Sequence, residues 1–268
     1  MPEHKTVVIA SLAFLILYLQ WPVPRKSPDN ASETTENQPT SSLPTTPSDV
    51  DIGKTFEREY YRRGRFFIKR SLRPSEFKKN IRGDVHVPRL GKDRLRNEAD
   101  TLQFIRRISN IPVPTLYAAI DIDDSFIIVI TEYVDGVNMS DLSEDEKQIV
   151  QKEINQHLVT LQEIKSDAIG GPSGIVIPPY RVMRHAGNDD WVSKTSDEKE
   201  YVFCHNDLSQ HNIVVDPRSL KIQAIIDWEY AGFFPKEFEA PYYKRPGPSI
   251  ALEGEHDDAA KLFGFMNS

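Results

Sequence analysis

Three oxygen-bearing side chains, Asp207, Asn212 and Asp227, fall within one short stretch, Tyr201 to Gly232, which reads YVFCHNDLSQHNIVVDPRSLKIQAIIDWEYAG. Tyr201 to Cys204 and Ile213 to Val215 read as strands, Asp216-Pro217-Arg218-Ser219 as a turn, and Leu220 to Ile226 as the partner strand. Such a hairpin puts Asn212 and Asp227 at the same end of two paired strands, with Asp207 one loop away. Magnesium takes oxygen ligands and commonly uses only one or two protein carboxylates plus phosphate oxygens. Asn212 and Asp227 can supply the protein share. Asp207, acceptor-only when ionised, can orient a hydroxyl and take its proton. The chemistry these residues suggest is phosphoryl transfer. The alternative is an acidic surface hairpin with an asparagine in a turn. Against it, three polar residues set among uninterrupted apolar strands are costly unless something binds there.

The bulk composition narrows the class. The 268 residues are 39% hydrophobic, enough for one domain with a real core and some additional chain. Forty acidic against 33 basic residues give a net charge of −7, which disfavours non-specific nucleic-acid binding, since that rests on neutralising phosphates. The single cysteine, Cys204, excludes an intrachain disulfide and a cysteine-based zinc site. No internal repeat is visible.

The pattern His205-x-Asp207-Leu208-x-x-x-Asn212-Ile213, followed by Ile225-Ile226-Asp227-Trp228-Glu229-x-Ala231-Gly232, resembles the catalytic core of the aminoglycoside phosphotransferase and choline kinase families. The wording IIDWEYAGFFP is especially similar to fungal members of the phosphotransferase enzyme family. The resemblance spans roughly Phe67 to Leu262 and is dense only around the catalytic segment. It implies an α+β, two-lobed protein-kinase-like fold: a small antiparallel sheet plus a helix, and a larger, mainly helical lobe. It also implies ATP and magnesium as cofactors and a small-molecule hydroxyl acceptor. Position by position, Asp207 matches the catalytic aspartate, and Asn212 and Asp227 match the metal ligands. Trp228-Glu229 stands where protein kinases have Phe-Gly.

The remaining kinase parts each have a candidate upstream. Gly64 to Arg70 reads as a turn into a strand, and the resemblance makes Lys69 the phosphate-binding lysine, with Arg70 as its near competitor. Lys92 to Ser109 has helical period, with Leu95, Ala99, Leu102 and Ile105 on one stripe. Glu98 borders that stripe, where a carboxylate is costly unless paired. Lys69 is its expected partner, as in the kinase lysine–glutamate pair; the alternative is a helix-edge glutamate reaching solvent. Strands follow at Thr115 to Ile120 and Phe126 to Glu132. The resemblance makes Glu132 to Gly136 the hinge, where the backbone of Glu132 and Val134 would bond adenine. Ser143 to Glu146 is a capping box opening a long helix through about Ile164. A last helix is expected from Glu255 to Phe265. No G-x-G-x-x-G is present, so the sequence does not locate a phosphate-covering loop.

Four segments follow: an anchor over 1–24, a linker over 25–51, a small lobe over 52–134 and a large lobe over 135–268. Val7 to Trp21 is uncharged and would span about 22 Å as a helix. It is followed by no small-x-small cleavage pair, so a short transmembrane anchor fits better than a signal peptide. Lys5 precedes the run and Arg25 and Lys26 follow it, which puts the kinase domain on the cytosolic side of a single-pass membrane protein by one charge. From Arg25 to Val50, 14 of 26 residues are Ser, Thr or Pro and none is aromatic, the composition of a disordered tether.

Two other functions compete with a small-molecule kinase. A protein kinase would carry lysine where Ser209 stands, and an Ala-Pro-Glu motif, which is absent. A pseudokinase serving as a nucleotide-binding or scaffold module is favoured by the missing glycine loop and disfavoured by the complete Asp207, Asn212 and Asp227 set. Clustered carboxylates, namely Asp189, Asp190, Glu229, Glu237 and Glu239, suggest an acceptor that carries positive charge.

Overall fold

The structure is a computed structural model that describes residues 49–268. The expected anchor over 1–24 and most of the linker lie outside the described residues. Among the described residues, no helix is long and apolar enough to cross a membrane.

The first half of the described chain builds one antiparallel sheet. Its strands are β1 (Val50–Lys54), β2 (Arg58–Arg63), β3 (Phe66–Ser71), β4 (Leu116–Asp123) and β5 (Phe126–Glu132), in the order β1-β2-β3-β5-β4. β1 begins at Val50, inside the segment expected to be linker. Between β3 and β4 runs the helix α1 (Gly91–Ile108). Leu95, Ala99, Leu102 and Ile105, its expected apolar stripe, are all buried. The stripe serves both halves of the molecule. Leu95 and Ala99 pack on Ile127 and Val129 of β5, whereas Leu102 and Ile105 join the larger core below. One helix therefore fixes the small lobe against the large one.

The large lobe opens with the two-residue strand β6 (Val137–Asn138) and the helix α2 (Glu144–Glu163). Ser143 and Glu146 close the capping box read from the sequence: the Ser143 hydroxyl accepts from the Glu146 N–H, and the Glu146 carboxylate accepts from the Ser143 N–H. Val150, Ile154 and Leu161 face the core. Beyond α2 lie β7 (Lys165–Ser166), the short helix α3 (Tyr180–Met183), β8 (Tyr201–Cys204), β9 (Ile213–Val215), β10 (Ile222–Ile225), β11 (Gly232–Phe234) and α4 (Ala259–Asn267). Two three-stranded sheets result, β10-β9-β6 and β11-β8-β7.

The large lobe is less helical than expected: after α2, the α-helices α3 and α4 are short, and the rest of the described chain is short strands, 3-10 turns and loops. The reason is local chemistry. Gly170, Gly171, Pro172, Pro178 and Pro179 break one stretch, and Pro235, Pro241, Pro246 and Pro248 break the other, so neither sustains a helical repeat. The last helix also starts later than expected, at Ala259. Glu255 is already engaged outside it, accepting from the Leu252 N–H and from Arg245, and Asp257 accepts from the Ala259 N–H.

Candidate active site

The hairpin of β9 and β10 forms as read, with Ile213 opposite Ile225. Past its open end, the Ile226 N–H donates to the Asn212 carbonyl at 2.9 Å, which sets Asn212 beside the residue preceding Asp227. The Asn212 amide donates to the Asp207 carbonyl at 2.7 Å and to its carboxylate at 3.2 Å. The three residues singled out in the sequence are thus brought together. Burial first, and the nearby Asp227 second, push the Asp207 carboxyl up to about 7, near the range that suits a general base at neutral pH.

Lys69 joins the cluster from the small lobe. β3 carries it opposite Tyr60 of β2 and Val129 of β5. Its ammonium donates to Glu98 of α1 and to Asp227, each at 2.7 Å. Arg70, its competitor, points elsewhere and pairs with Glu59 and Glu76. Burial raises Glu98 above the usual carboxylate range although Lys69 lies beside it. Asp227 also feels burial, but Lys69 and Arg58 outweigh it and hold its carboxyl well below that range. The contrast is physical: Asp227 faces two cations, and Glu98 faces one together with the repulsion of Asp227.

A cavity of about 430 Å³ runs from this cluster to the hinge. Tyr60 and Phe67 line it from the sheet, Val214 and Ile226 from the hairpin, and Thr131 to Val134 along the connection between lobes. The Glu132 carboxylate is not offered to the cavity. It accepts from the N–H and hydroxyl of Thr115 at 3.2 and 2.8 Å, which fixes the connection. Val134 also lines the cavity, and its N–H has no partner among the described residues. Gly136, at φ +157°, lets the chain pass so close to the Val215 carbonyl that a Cβ would lie 2.7 Å from it.

Several residues to which the sequence assigned no supporting role hold the loop in place. His205 is fully buried against Trp228, with ring centroids 4.5 Å apart. Its Nδ1 accepts from the Asp207 N–H at 3.2 Å, so Nε2 carries the proton and donates to the Ile226 carbonyl at 3.0 Å. Burial pushes its pKa down to about 4, and the ring holds Asp207 as a neutral spacer. The Glu239 carboxylate accepts from the N–H groups of both His205 and Asn206. Asn206, at φ +68°, donates from its amide to the Tyr230 carbonyl at 2.8 Å.

These contacts correct the electrostatic expectation for the acceptor. Glu229 is buried and paired with Arg58 and Arg94. Glu239 is turned onto backbone amides, and Asp189 is gripped by Arg89 at 3.0 and 3.1 Å. Of the five carboxylates, Glu229 and Glu239 are spent inside the fold and Asp189 is paired near the surface, while Asp190 and Glu237 stay exposed.

β1 and β2 are joined by a tight turn over Thr55 to Glu57. Its amides are largely used up: the Thr55 hydroxyl accepts from the N–H of Glu57 and Arg58 at 3.1 Å each, and the Thr55 N–H donates to the Arg58 carbonyl.

The pair Asn212 and Asp227 fits a magnesium ion as two members of an oxygen set completed by phosphate and water. The Asn212 amide nitrogen faces Asp207, which leaves its carbonyl oxygen free to ligate, and only one Asp227 oxygen is taken by Lys69. Among the described residues, no group of three or more His, Cys, Asp or Glu gathers to hold a metal without such help.

Residues 181–236, which contain Asp207, Asn212 and Asp227, match the model of the phosphotransferase enzyme family. This is the family that the catalytic segment resembles. No curated protein matches the chain by sequence. Among solved structures, the chain is similar to a thermostable mutant of aminoglycoside phosphotransferase APH(4)-Ia in ternary complex with ADP and hygromycin B. The identity is 14% over 72% of this chain and 70% of that one, with a TM-score of 0.47. It is similar also to APH(2")-IIIa in complex with GDP and kanamycin, at 13% identity over 72% and 70% of the two chains and a TM-score of 0.47.

Proposed function

We propose that this small-molecule kinase of the phosphotransferase enzyme type moves the γ-phosphate of ATP to a hydroxyl group of a small molecule. The observation that carries the reading is the Lys69 ammonium, held at 2.7 Å from both Glu98 and Asp227 at one end of a cavity whose other end is the hinge. A buried lysine tied to two carboxylates on separate elements is costly as mere structure. As a phosphate-binding group, oriented by Glu98, it has a use. The cavity volume lies within the range of ~300–1,000 Å³ usual for small-molecule sites. In this reading Tyr60, Phe67, Val214 and Ile226 sandwich the adenine, and the Glu132 carbonyl and Val134 N–H bond its edge. Asn212 and Asp227 would hold magnesium, which when bound neutralises charge on the phosphate oxygens. Asp207 orients the acceptor hydroxyl and takes its proton as the oxygen–phosphorus bond forms.

Asp227→Ala is expected to abolish magnesium-dependent stabilisation by ATP, because it deletes the charged ligand, and Asn212→Ala is expected to weaken it less. The measurement is a thermal-shift titration of ATP with and without magnesium. Retention of normal magnesium dependence in the Asp227 variant removes that residue from the metal site.

A second reading, a nucleotide-binding module without turnover, is favoured by one observation, the internal use of the β1–β2 amides. Magnesium-dependent ADP release across a panel of hydroxylated acceptors separates the two readings.

The apolar stretch Val7 to Trp21 adds a proposed single-pass membrane anchor, with the kinase domain on the cytosolic side. The full chain is expected to pellet with membranes and resist carbonate extraction, and deletion of residues 1–48 is expected to release a soluble domain. Recovery of the full chain as soluble, uncleaved protein overturns the anchor.

A further inference from the structure

Asp227 has a left-handed backbone, φ +66°. Such a conformation is uncommon outside glycine and persists where the surroundings over-determine it. What surrounds it is a buried ionic cluster centred two residues along the chain. The Glu229 carboxylate, 6% exposed, accepts from Arg58 of β2 on one oxygen and from Nη1 of Arg94 of α1, at 3.2 Å, on the other. Both arginines are below 5% exposed. Arg94 also donates to the Tyr230 hydroxyl at 2.6 Å, and Asn97, one turn along α1, donates to the carbonyls of Glu229 at 3.2 Å and Ala231 at 2.8 Å. Lys69, itself paired with Glu98, holds Asp227 from the cavity side. The turn that carries Asp227 is thereby tied to the small lobe at its side chains and its backbone.

We propose that Glu229 is a positioning residue for Asp227: the buried Arg58–Glu229–Arg94 cluster holds the cation-binding aspartate against the small lobe and so sets magnesium affinity. The proposal rests on the nucleotide-kinase reading above. A carboxylate sunk this deep is costly unless it is paired. The pairing spans three elements, so its geometry is transmitted to the five-residue segment from Asp227 to Ala231. Groups that orient a metal ligand from behind typically change metal affinity by ~10–100-fold when removed.

The test uses full-length protein and ADP as the probe, titrated calorimetrically in EDTA and then at rising magnesium. In wild type, magnesium tightens ADP binding. Glu229→Gln, which keeps the shape and removes the charge, is expected to raise the magnesium concentration for half effect by ~10-fold or more. Its ADP affinity in EDTA should stay within about twofold, because the adenine contacts are untouched. Arg58→Met should behave like Glu229→Gln, and Arg58→Lys should recover most of the effect, so the test does not hang on one variant folding. Arg181→Met is the control. It breaks another buried pair, with Asp258 in the large lobe, and should lower the melting temperature without moving the magnesium midpoint. If Glu229→Gln and Arg58→Met lose melting temperature as Arg181→Met does but keep the wild-type magnesium midpoint, the cluster is structural and the proposal is overturned. If wild type itself shows no magnesium-dependent ADP binding, the kinase reading fails first and takes the proposal with it.

Discussion

Asp207→Asn is expected to lower turnover by ~10²-fold or more while leaving ATP affinity nearly unchanged. The substitution keeps size and removes the ability to accept a proton as a carboxylate does. The loop has little reason to move. The shorter bond that Asn212 makes, 2.7 Å, goes to the residue 207 carbonyl, which the variant retains, and the Asp207 N–H still donates to His205 Nδ1. Neither Asp207 nor its loop lines the cavity proposed for the nucleotide, so binding and chemistry should separate cleanly. The measurement is ADP release with an acceptor panel, beside nucleotide affinity by thermal shift. Wild-type turnover in the variant would remove Asp207 from the mechanism. A parallel loss of turnover and of ATP binding would mean that the loop, and not the proton, had been disturbed.

Lys69→Met should cost about 3 kcal/mol of folding stability, within the range for removing one partner of a buried ion pair. The loss is one of compensation and not of volume, since methionine fills much of the same space. Glu98 would remain buried with no cation, and Asp227 would keep only Arg58 as a close positive neighbour. The effect should depend on pH with a definite sign. Burial already raises the Glu98 pKa above its unfolded value, and loss of Lys69 raises it further. The folded variant then binds a proton more readily than the unfolded chain, so its stability is greatest in acid and falls as pH rises through the folded-state pKa. Urea unfolding of both proteins at pH 5.5 and 8 checks this: the deficit should be larger at pH 8. A deficit below about 1 kcal/mol at both pH values would show that the ion pair is dispensable to the fold.

Features resting on periodicity or local chemistry were legible in the sequence. Leu95, Ala99, Leu102 and Ile105 recur at helical spacing and are buried. Ser143 with Glu146, and the Asp216 turn with its flanking strands, carry their geometry within a few residues. The pairing of Lys69 with Glu98 was legible only because resemblance to a known family assigned Lys69; that Lys69 also reaches Asp227 was not read, since nothing local joins residues so far apart in the chain. Where clustered carboxylates served as the guide, the sequence did not show their partners. Glu229, Glu239 and Asp189 look like an acidic face in one dimension, but each has a partner distant in sequence. Arg58 lies in REYYRR, where no alternation marks which residue turns inward, and it proves to be among the most buried side chains of the molecule. The loss of helix in the large lobe was legible in principle from its prolines and glycines, but the family expectation outweighed them.

The turn between β1 and β2 closes on Thr55, and its neighbours pin it. The Lys54 ammonium reaches Glu76 at 2.8 Å, Glu57 meets both His86 at 2.6 Å and Arg94, and the Phe56 ring stands edge-on to His86 at 5.5 Å. A glycine-rich cover is loose before its ligand arrives, and the cost of ordering it is charged against affinity. Here that ordering is already complete in the folded chain, so it subtracts nothing at the moment of binding. Thr55 to Glu57 line no part of the cavity, so the stiffness of the turn reaches it only through β2, which carries Tyr60 to the cavity wall.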